Sequence, residues 1–457
     1  MSKKKKTVEA EGFKPNPGEN QDEKREDGAV KEDNKEKKPK KKGRGRKALK
    51  IILIILLVIV CLIAVIAVLN VISYKSNRNF IKNSIAKVEY TNQLKPVLAD
   101  DGYYTFTTDD GLKIMQLTDI HIGSGFMSTK KDNMAINACA AMITAEKPDL
   151  VIVTGDIAYP VPFQAGTLNN KPGAVTFAEM MEKLGVYWAP VYGNHDTEVY
   201  SLYSRKDISE IYSDKEKYPH CLFQSGPEDI NGYGNYVINV KNTKGEIVQS
   251  LIMFDSNSYT DDDKLGISGN YDAIHADQVQ WYDATIKSLT KENGGKTPKS
   301  LAFFHIPIQE MKTAFNEYKD NGYKDTKDVK YIYGKLGESG MMICASKLNF
   351  GLFDKMLEDG STQGVFFGHD HLNNMSLEYK GIRLTYGYSI DYLAYSGISK
   401  YGLQRGCTLI KVNPDGSFDC EKENYYQEKY KSVNKKETVT LNQDMEYGVS
   451  SPFADNN

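Results

Sequence analysis

Residues 150–159 read LVIVTGDIAY, an unbroken apolar run that stops at Gly155 and Asp156. A short run of β-branched and aliphatic residues bounded by glycine predicts a strand buried on both faces, as strands of parallel sheets are. A carboxylate placed where such a strand ends lies at the edge of the sheet, where side chains from several strands can meet. The stretch therefore predicts an α/β fold with Asp156 in a site at a sheet edge.

Four other groups of ligand-type residues end apolar runs in the same way: DIH at 119–121, GNHD at 193–196, His305 after Phe304, and GHDH at 368–371. Five of the seven histidines of the chain lie in these groups. A single histidine at a strand end is more often a core residue than a ligand, so each group alone is a weak signal. The ordered set predicts that Asp, Asn and His side chains gather around a pair of metal ions, for which phosphate esters are the natural substrate class.

The groups lie in a region, 103–429, where strand-like and helical runs alternate, which predicts an α/β domain with sheets covered by helices. A hairpin about the turn at 109–111 is predicted to open the domain. Three polar stretches, 161–174, 200–227 and 312–339, are predicted to be surface insertions that form lids or substrate walls. The predicted strands are 112–118, 150–154, 187–192, 236–240, 250–255, 301–305, 364–367, 382–386 and 408–412, and the predicted helices are 133–146, 175–184, 276–289 and 348–358.

The N-terminal end has a different composition. Residues 1–50 contain 18 Lys and Arg against 10 Asp and Glu, a net charge of +8, whereas the rest of the chain carries −10. With almost no apolar residues this segment cannot bury a core, so we predict a disordered basic tail. A merely solvated tail is the commoner outcome for such a charge run, and binding to anionic lipid is the alternative. No nucleic-acid partner is expected.

Residues 51–72 are apolar throughout except for Asn70. At about 1.5 Å per residue, a helix of this length spans roughly 33 Å, enough to cross the core of a bilayer. A cleaved signal peptide is the rival interpretation, and the long polar segment before the run argues against it. Nine Lys and Arg lie between residues 37 and 50, against three between 73 and 82. This bias predicts a single-pass protein of the cell membrane, with a cytoplasmic N-terminus and an extracytoplasmic catalytic domain.

The six cysteines are few for this length, and no CxxC motif occurs, so neither a thiolate metal site nor a redox motif is indicated. Cys61 lies in the apolar run, which leaves an odd number outside it. Cys407 and Cys420 flank two predicted strands and are the candidates for a disulfide. The alternative is that both are small apolar side chains.

Spacing within the groups bears on which side chains face the ions. On an extended strand, residues i and i+2 point the same way. Asp119 and His121 are therefore predicted to face one ion together, and His369 and His371 are predicted to share a face in the same manner. Asp156 has two carboxylate oxygens, and we predict that these bridge the two ions.

Taken together, these motifs resemble the calcineurin-like metallophosphoesterase superfamily over roughly residues 112–412. The segments 116–121, FFHIPIQE at 303–310, FFGHDHLN at 366–373 and YGLQRGCTLIKV at 401–412 look like its purple-acid-phosphatase-related group. The resemblance implies a two-sheet β-sandwich flanked by helices, with a two-metal site at one sheet edge. The predicted division of the chain is a basic cytoplasmic tail (1–50), a transmembrane helix (51–72), a stalk (73–102), the metallophosphoesterase domain (103–429) and a polar C-terminal tail (430–457).

The resemblance also implies roles for single residues. His195 would not bind metal but would face the scissile bond, where it stabilises or protonates the leaving oxygen. A hydroxide that bridges the two ions would attack phosphorus in line. With only nitrogen and oxygen ligands, zinc, manganese and iron all suit the centre, as a divalent or mixed-valence pair. The implied ligands are Asp119, His121, Asp156 and His371 for one ion, and Asp156, Asn194, His305 and His369 for the other.

One feature departs from the family pattern. True purple acid phosphatases use a Tyr after the bridging Asp (GDxxY) and lack the His of DxH, whereas this chain has both His121 and Tyr159. The two side chains compete for one coordination position. We favour His121, because DxH completes the site without help, and Tyr159 is then expected to line the pocket.

Three functions are compatible with these patterns. An outward-facing, membrane-anchored phosphoesterase is the leading hypothesis. The second is a phosphodiesterase for nucleotides or lipid head groups, for which Arg405 and Arg383 are the candidate cationic clamps; Arg405 joins Tyr159 as a candidate pocket residue. The third is a catalytically idle surface binding protein that keeps the fold. Loss of a ligand would indicate the third, and none of the eight core residues is missing from the sequence.

Overall fold

The computed structural model describes residues 42–395, 405–422 and 424–430. Most of the predicted basic tail, and all but the first residue of the predicted C-terminal tail, lie outside the described residues. The chain divides into two compact units, Met1–Ile59 and Val60–Asn457. What the structure describes of the first unit is the beginning of one helix. The second unit contains the rest of that helix and both sheets.

The elements are numbered in chain order. The described helices are α1 Lys42–Ser84, α2 Thr129–Glu146, α3 Pro162–Ala165, α4 Lys171–Leu184, α5 Arg205–Tyr212, α6 Ala276–Glu292, α7 Gln309–Asp320, α8 Leu352–Asp359 and α9 Tyr426–Lys429. The described strands are β1 Val97–Leu98, β2 Tyr104–Thr107, β3 Leu112–Leu117, β4 Leu150–Thr154, β5 Trp188–Val191, β6 Tyr236–Lys241, β7 Ile247–Met253, β8 Lys299–Phe303, β9 Val329–Tyr333, β10 Thr362–Phe367, β11 Ser376–Tyr379, β12 Ile382–Tyr386, β13 Thr408–Val412 and β14 Phe418–Cys420.

The strands form two sheets, ordered β1-β2-β6-β7-β8-β10-β12-β11-β9 and β14-β13-β3-β4-β5. Alternate residues of the larger sheet face opposite ways, as strand geometry requires. Phe303 and Phe366 belong to the core cluster that also contains β3, β4, α2 and α4. Ala302 and Phe367 belong to a second cluster with residues of α6, α7 and α8. The predicted two-sheet α/β sandwich flanked by helices is confirmed.

The prediction of a hairpin at 109–111 is wrong. β2 lies in the nine-stranded sheet, parallel to β6, whereas β3 lies in the five-stranded sheet between β4 and β13. The turn therefore carries the chain from one sheet to the other. Two strands joined by a short turn have the same sequence pattern whether they pair or diverge, because the pairing partner is chosen by tertiary packing.

The three predicted insertions contain regular structure. The first holds α3 and the start of α4, the second holds α5, and the third holds most of α7 together with β9. β9 pairs antiparallel with β11 and forms one edge of the nine-stranded sheet. The stretch 312–339 is therefore part of the fold and not an addition to its surface.

Within the described ranges, one helix, Gly45–Ser84, is long and apolar enough to cross a membrane. The predicted stalk at 73–102 is not a free linker, because its helical part is packed. Ser73, Asn77 and Ile81 are all buried, and their four-residue spacing places them on one face of the helix. Two of these residues are polar, so the hydrophobic pattern did not reveal this buried face.

All six cysteines are free thiols. Cys420 lies opposite Ile410 in the β13–β14 ladder, so it does not face Cys407. Cys407 lies 3.5 Å from the hydroxyl of Tyr430, and burial raises the pKa of its thiol to about 12. Cys407 is therefore a small buried side chain, as in the alternative to a disulfide.

Candidate metal centre

The candidate site lies where strands of both sheets end. β3, β4 and β5 are parallel neighbours, and so are β8 and β10, so their carboxyl ends reach the same edge of each sheet. Ligands of α/β proteins commonly bind at such edges. The predicted residues follow these strands after one or two intervening residues: Asp119 follows β3, Asp156 follows β4, Asn194 follows β5, His305 follows β8 and His369 follows β10.

The backbone at this edge is not extended. Asp119, His121, Asp156 and His369 have φ angles of 51°, 54°, 56° and 80°, in the left-handed region that few non-glycine residues adopt. β3 and β10 end before these residues. The alternation of an extended strand is therefore not what turns the side chains to the site, and that part of the prediction is wrong. Strained residues of this kind cluster at functional sites.

Four side chains form a first group of donors. One ligand atom from each of Asp119, His121, Asp156 and His371 lies within 4.8 Å of all the others. The Nε2 atom of His121 lies 3.2 Å from Oδ2 of Asp156, and the Nε2 atom of His371 lies 3.7 Å from Oδ1 of Asp119. Two carboxylates and two imidazoles at these separations match the ligand preferences of a first-row transition metal.

A second group of donors also includes Asp156. His305 donates from Nδ1 to the carbonyl of Thr154 over 2.8 Å, so the lone pair of the neutral ring lies on Nε2. That nitrogen lies 3.1 Å from Oδ1 of Asn194 and 3.2 Å from Oδ2 of Asp156, and Nδ1 of His369 lies 2.9 Å from the same Asn194 oxygen. Electron-pair donors that face one another so closely need a cation or a proton between them.

Asp156 belongs to both groups through a single oxygen. Its Oδ2 faces His121 and His305, while its Oδ1 accepts the backbone N–H of His195 over 2.8 Å. The prediction had both carboxylate oxygens bridging. In this geometry Oδ2 alone reaches both groups, because Oδ1 is engaged by the backbone.

Buried charges in the centre offset one another. Burial raises the pKa of Asp156, but His305 and His195 outweigh it and hold that pKa well below the usual range of a carboxyl. Burial lowers the pKa of His305, but Asp156 outweighs it and raises that pKa to about 9. Burial and His305 together lower the pKa of His369. The carboxylate therefore stays ionised and attracts positive charge, which protons on the histidines or metal cations can supply.

His195 lies beside the donors and has its own partner. Its Nδ1 lies 2.6 Å from Oε1 of Glu198, and its ring centre lies 5.6 Å from that of His121. The side chain of His195 is 22% exposed, whereas that of Glu198 is 3% exposed. A buried carboxylate thus contacts one nitrogen of a solvent-accessible imidazole, which is the arrangement expected of a general acid or base.

Asp196 has a different task. Its carboxylate accepts backbone N–H bonds from Asp156, Ala158 and Gly193 at 2.8 to 2.9 Å. It ties the loop after β4 to the loop after β5 and does not orient His195. A Cβ atom on Gly193 would overlap the carboxylate of Asp156, so glycine is required there by close approach.

Asp391 is a site residue that the sequence analysis missed. Its Oδ1 lies 3.3 Å from Nδ1 of His121, and its Oδ2 lies 3.3 Å from Nδ1 of His371. Burial raises the pKa of Asp391, but the two histidines outweigh it and keep that pKa well below the usual value. Carboxylates that hold the far nitrogens of metal-binding histidines fix the ring orientation. In the sequence, the one feature that could have indicated Asp391 is that it is a charged residue within the otherwise apolar run 390–394.

Tyr159 contacts both His121 and His195, and its ring centre lies 4.9 Å from each of theirs. Its hydroxyl donates to Oε1 of Gln164 over 2.7 Å. Burial, followed by the charge of Asp391, raises the pKa of this phenol far above its usual value. In the structure this neutral hydroxyl is bonded to Gln164.

Arg405, a candidate pocket residue, is buried. Its guanidinium donates to the carbonyls of Ile390 and Asp391 at 2.9 to 3.1 Å and stacks 3.5 Å from the ring centre of Tyr392. It holds the segment that carries Asp391. Arg383, the other candidate clamp, donates to Ser376 on β11.

A two-sheet α/β sandwich with buried Asp, Asn and His donors at its strand ends defines the class of metal-dependent phosphoesterases. A sequence model of the calcineurin-like phosphoesterase family matches residues 112–373, and the chain belongs to this family. The resemblance noted in the sequence is thereby confirmed.

Several curated proteins are similar to the chain. Probable inactive purple acid phosphatase 14 of Arabidopsis thaliana is 30% identical over 320 residues, which cover 64% of this chain and 74% of that protein. Probable inactive purple acid phosphatase 29 of the same plant is 28% identical over 347 residues, 70% of this chain and 81% of that protein. Among solved structures, a dimetal phosphatase from Danio rerio aligns with a TM-score of 0.42 and 12% identity, over 69% of this chain and 97% of that one.

Proposed function

We propose that this protein is a membrane-anchored phosphoesterase that holds two metal ions and hydrolyses phosphate esters outside the cytoplasm. One observation carries the proposal: seven Asp, Asn and His side chains meet where strands of both sheets end, with His195 beside them. Membership of the calcineurin-like phosphoesterase family supports the reaction class.

In the proposed centre Asp156 is shared by both ions. Its buried Oδ2 is the only carboxylate oxygen within 3.2 Å of a histidine from each donor group, among the residues described. The amide nitrogen of Asn194 donates to the hydroxyl of Tyr259 over 2.9 Å. This bond orients the side chain so that Oδ1 faces His305 and His369. The ligands would be Asp119, His121, Asp156 and His371 for one ion, and Asp156, Asn194, His305 and His369 for the other.

Two such ions, when bound, supply the Lewis acidity that polarises a phosphate ester and activates water for attack on phosphorus. The chain itself supplies the proton transfer. Because Glu198 engages Nδ1 of His195, Nε2 is the ring nitrogen that would face the substrate. It would donate a proton to the leaving oxygen, or stabilise the charge that develops there. Zinc, manganese and iron all fit this nitrogen and oxygen donor set.

The membrane anchor in the proposal is the apolar part of α1. The nine-to-three excess of basic residues on its N-terminal side favours a cytoplasmic N-terminus. The two sheets, whose strand ends hold the candidate centre, would then lie outside the cytoplasm.

A catalytically idle binding protein is the second candidate, because two of the similar plant proteins carry the name probable inactive purple acid phosphatase. The complete donor set argues for activity in this chain. Assays on both kinds of ester distinguish a diesterase from a monoesterase. The two arginines named as candidate clamps for a diester, Arg405 and Arg383, make their described bonds away from the donor groups.

The deciding experiment is metal analysis of the purified full chain, combined with assays on phosphomonoesters and phosphodiesters. We expect about two ions per chain, hydrolysis that stops on chelation, and recovery when zinc, manganese or iron is restored. Two bound ions without cleavage of any ester would favour the idle binding protein. A chain that binds no metal would contradict the proposal.

A further inference from the structure

Three neighbouring loops expose large apolar side chains at one border of the candidate centre. Phe163 is 89% exposed, Leu202 is 65% exposed and Met127 is 52% exposed, with Phe126 and Leu168 close to 40%. We call these five residues the apolar rim. Large exposed apolar side chains grouped in this way mark contact with a protein, a ligand or a membrane.

The rim is continuous because its loops are bonded to one another. Met127 donates its backbone N–H to the carbonyl of Ala165, and Leu202 donates to the carbonyl of Leu168. The ring of Phe126 lies directly against Gly166, where a Cβ atom would overlap it. The exposed side chains therefore share a rigid support and are not on independent loop tips.

The same loops are fixed to α1 at the end of its apolar run. Asn70, the one polar residue of that run, donates from Nδ2 to the carbonyl of Gly166 over 3.1 Å and accepts the N–H of Phe126 at Oδ1 over 2.9 Å. One turn later, Ser73 donates to the carbonyl of Gly125 over 2.8 Å. The rim is thus level with the last apolar turn of the helix, where Ile72 is still 57% exposed.

The rim also borders the candidate centre. Gln164, next to Phe163, accepts the hydroxyl of Tyr159 and donates to the carbonyl of Ala394. Tyr159 in turn contacts the rings of His121 and His195. Two side chains, Gln164 and Tyr159, therefore connect the segment that carries Phe163 to the donors.

We propose that the apolar rim inserts into the interfacial layer of the membrane that holds α1, so that the candidate centre opens at the level of the head groups and takes phosphate esters carried by lipids. This inference rests on the proposed function, because it requires both the anchor and the hydrolase. Aromatic and aliphatic side chains at the end of a spanning helix are those that partition into this layer. The two bonds of Asn70 and the bond of Ser73 fix the level of the rim relative to the helix.

The first test measures depth and does not depend on activity. The full chain carrying Phe163→Trp or Leu202→Trp is reconstituted into vesicles of phosphatidylcholine with and without brominated acyl chains. Trp188 and Trp281 of the parent chain give the background fluorescence. We expect brominated lipid to quench the added tryptophan by about half, since bromine quenches only residues that reach the acyl boundary.

Val97→Trp is the matched control. Val97 is exposed and apolar, but it lies in β1 at the edge of the nine-stranded sheet, which contains no residue of the rim. We expect no quenching at this position. Equal quenching at positions 97 and 163 would overturn the proposal. A blue-shifted but unquenched Phe163→Trp would also overturn it, because a protein would then cover the rim.

The second test compares substrates. The parent chain in vesicles is assayed on phosphatidic acid in the bilayer and on nitrophenyl phosphate in solution. Phe163→Asp is expected to lower the ratio of lipid to soluble turnover about tenfold, because a charge opposes insertion, whereas Val97→Asp keeps the parent ratio. A parent that cleaves neither ester refutes the proposed function. A parent that cleaves only the soluble ester, or an unchanged ratio in Phe163→Asp, refutes the membrane rim alone.

Discussion

Glu198 holds the imidazole of His195: Oε1 of the glutamate lies 2.6 Å from Nδ1 of the histidine, three residues away on the loop after β5. The carboxylate of Asp196, which is adjacent to His195 in the chain, accepts backbone N–H groups instead and does not orient the imidazole. Glu198 is therefore a positioning residue for the group proposed to protonate the leaving oxygen.

Glu198→Gln is expected to lower turnover of alkyl phosphates by about one to two orders of magnitude, because a neutral amide stabilises the imidazolium less than a carboxylate does. The loss on nitrophenyl phosphate should be smaller, since that leaving group needs little protonation. Steady-state kinetics on both esters measures the difference. Glu182→Gln, which alters the surface pair of Glu182 with His220, is the matched control. Equal losses on both esters would indicate a structural role only.

His195→Ala is expected to retain its metal while turnover falls by about 10² to 10⁴, the usual range for a positioned acid or base. The loss should again be larger for alkyl phosphates than for nitrophenyl phosphate. Metal content and kinetics are measured on the same preparation, with His220→Ala as the control. Loss of metal from the variant would make His195 a ligand and contradict its assigned role.

Asp156→Asn is expected to remove most activity and to release at least one ion, because a neutral amide cannot balance two dications. Metal analysis after gel filtration measures the occupancy. Asp149→Asn is the control. Asp149 precedes the first residue of β4 and accepts the N–H of Lys113, so this variant should keep its metal. Full occupancy with normal turnover in Asp156→Asn would refute the shared ligand.

Asp391→Asn is expected to weaken metal binding about 10- to 100-fold, the usual effect of removing a carboxylate that orients histidine ligands. Competition with a chelator of known affinity measures the change. Asp109→Asn, which loses only an exposed bond to Thr243, is the control. Unchanged affinity in Asp391→Asn would mean that His121 and His371 are held without it.

Protease added to intact cells is expected to remove the C-terminal domain and to spare the basic tail, because the charge bias across residues 51–72 favours a cytoplasmic N-terminus. Epitope tags at the two ends, followed by immunoblotting, report which side is cut. Protection of the C-terminal tag until the cells are lysed would contradict this topology.

Much of the candidate site was predictable from the chain alone. Apolar runs that end in Asp, Asn or His indicate strands. Because parallel strands share a direction, the residues that end these runs lie at the same edge of the sheet. This reasoning located Asp119, Asp156, Asn194, His305 and His369, whose strand-end positions the structure then gave. It did not anticipate the left-handed backbone at four site residues, since periodicity describes the strand and not the turn after it.

The amino-acid sequence by itself determined the α/β class, the chemical nature of the donors and the apolar run at 51–72, because each depends on residue type and local spacing. Only the tertiary structure decided which strands pair across the turn at 109–111, which carboxylate orients His195, and that Asp391 reaches two histidines from another segment. It also decided that Asn70 is bonded to the loops that carry the apolar rim. Each of these contacts joins residues through packing or side-chain direction, on which local pattern carries no information.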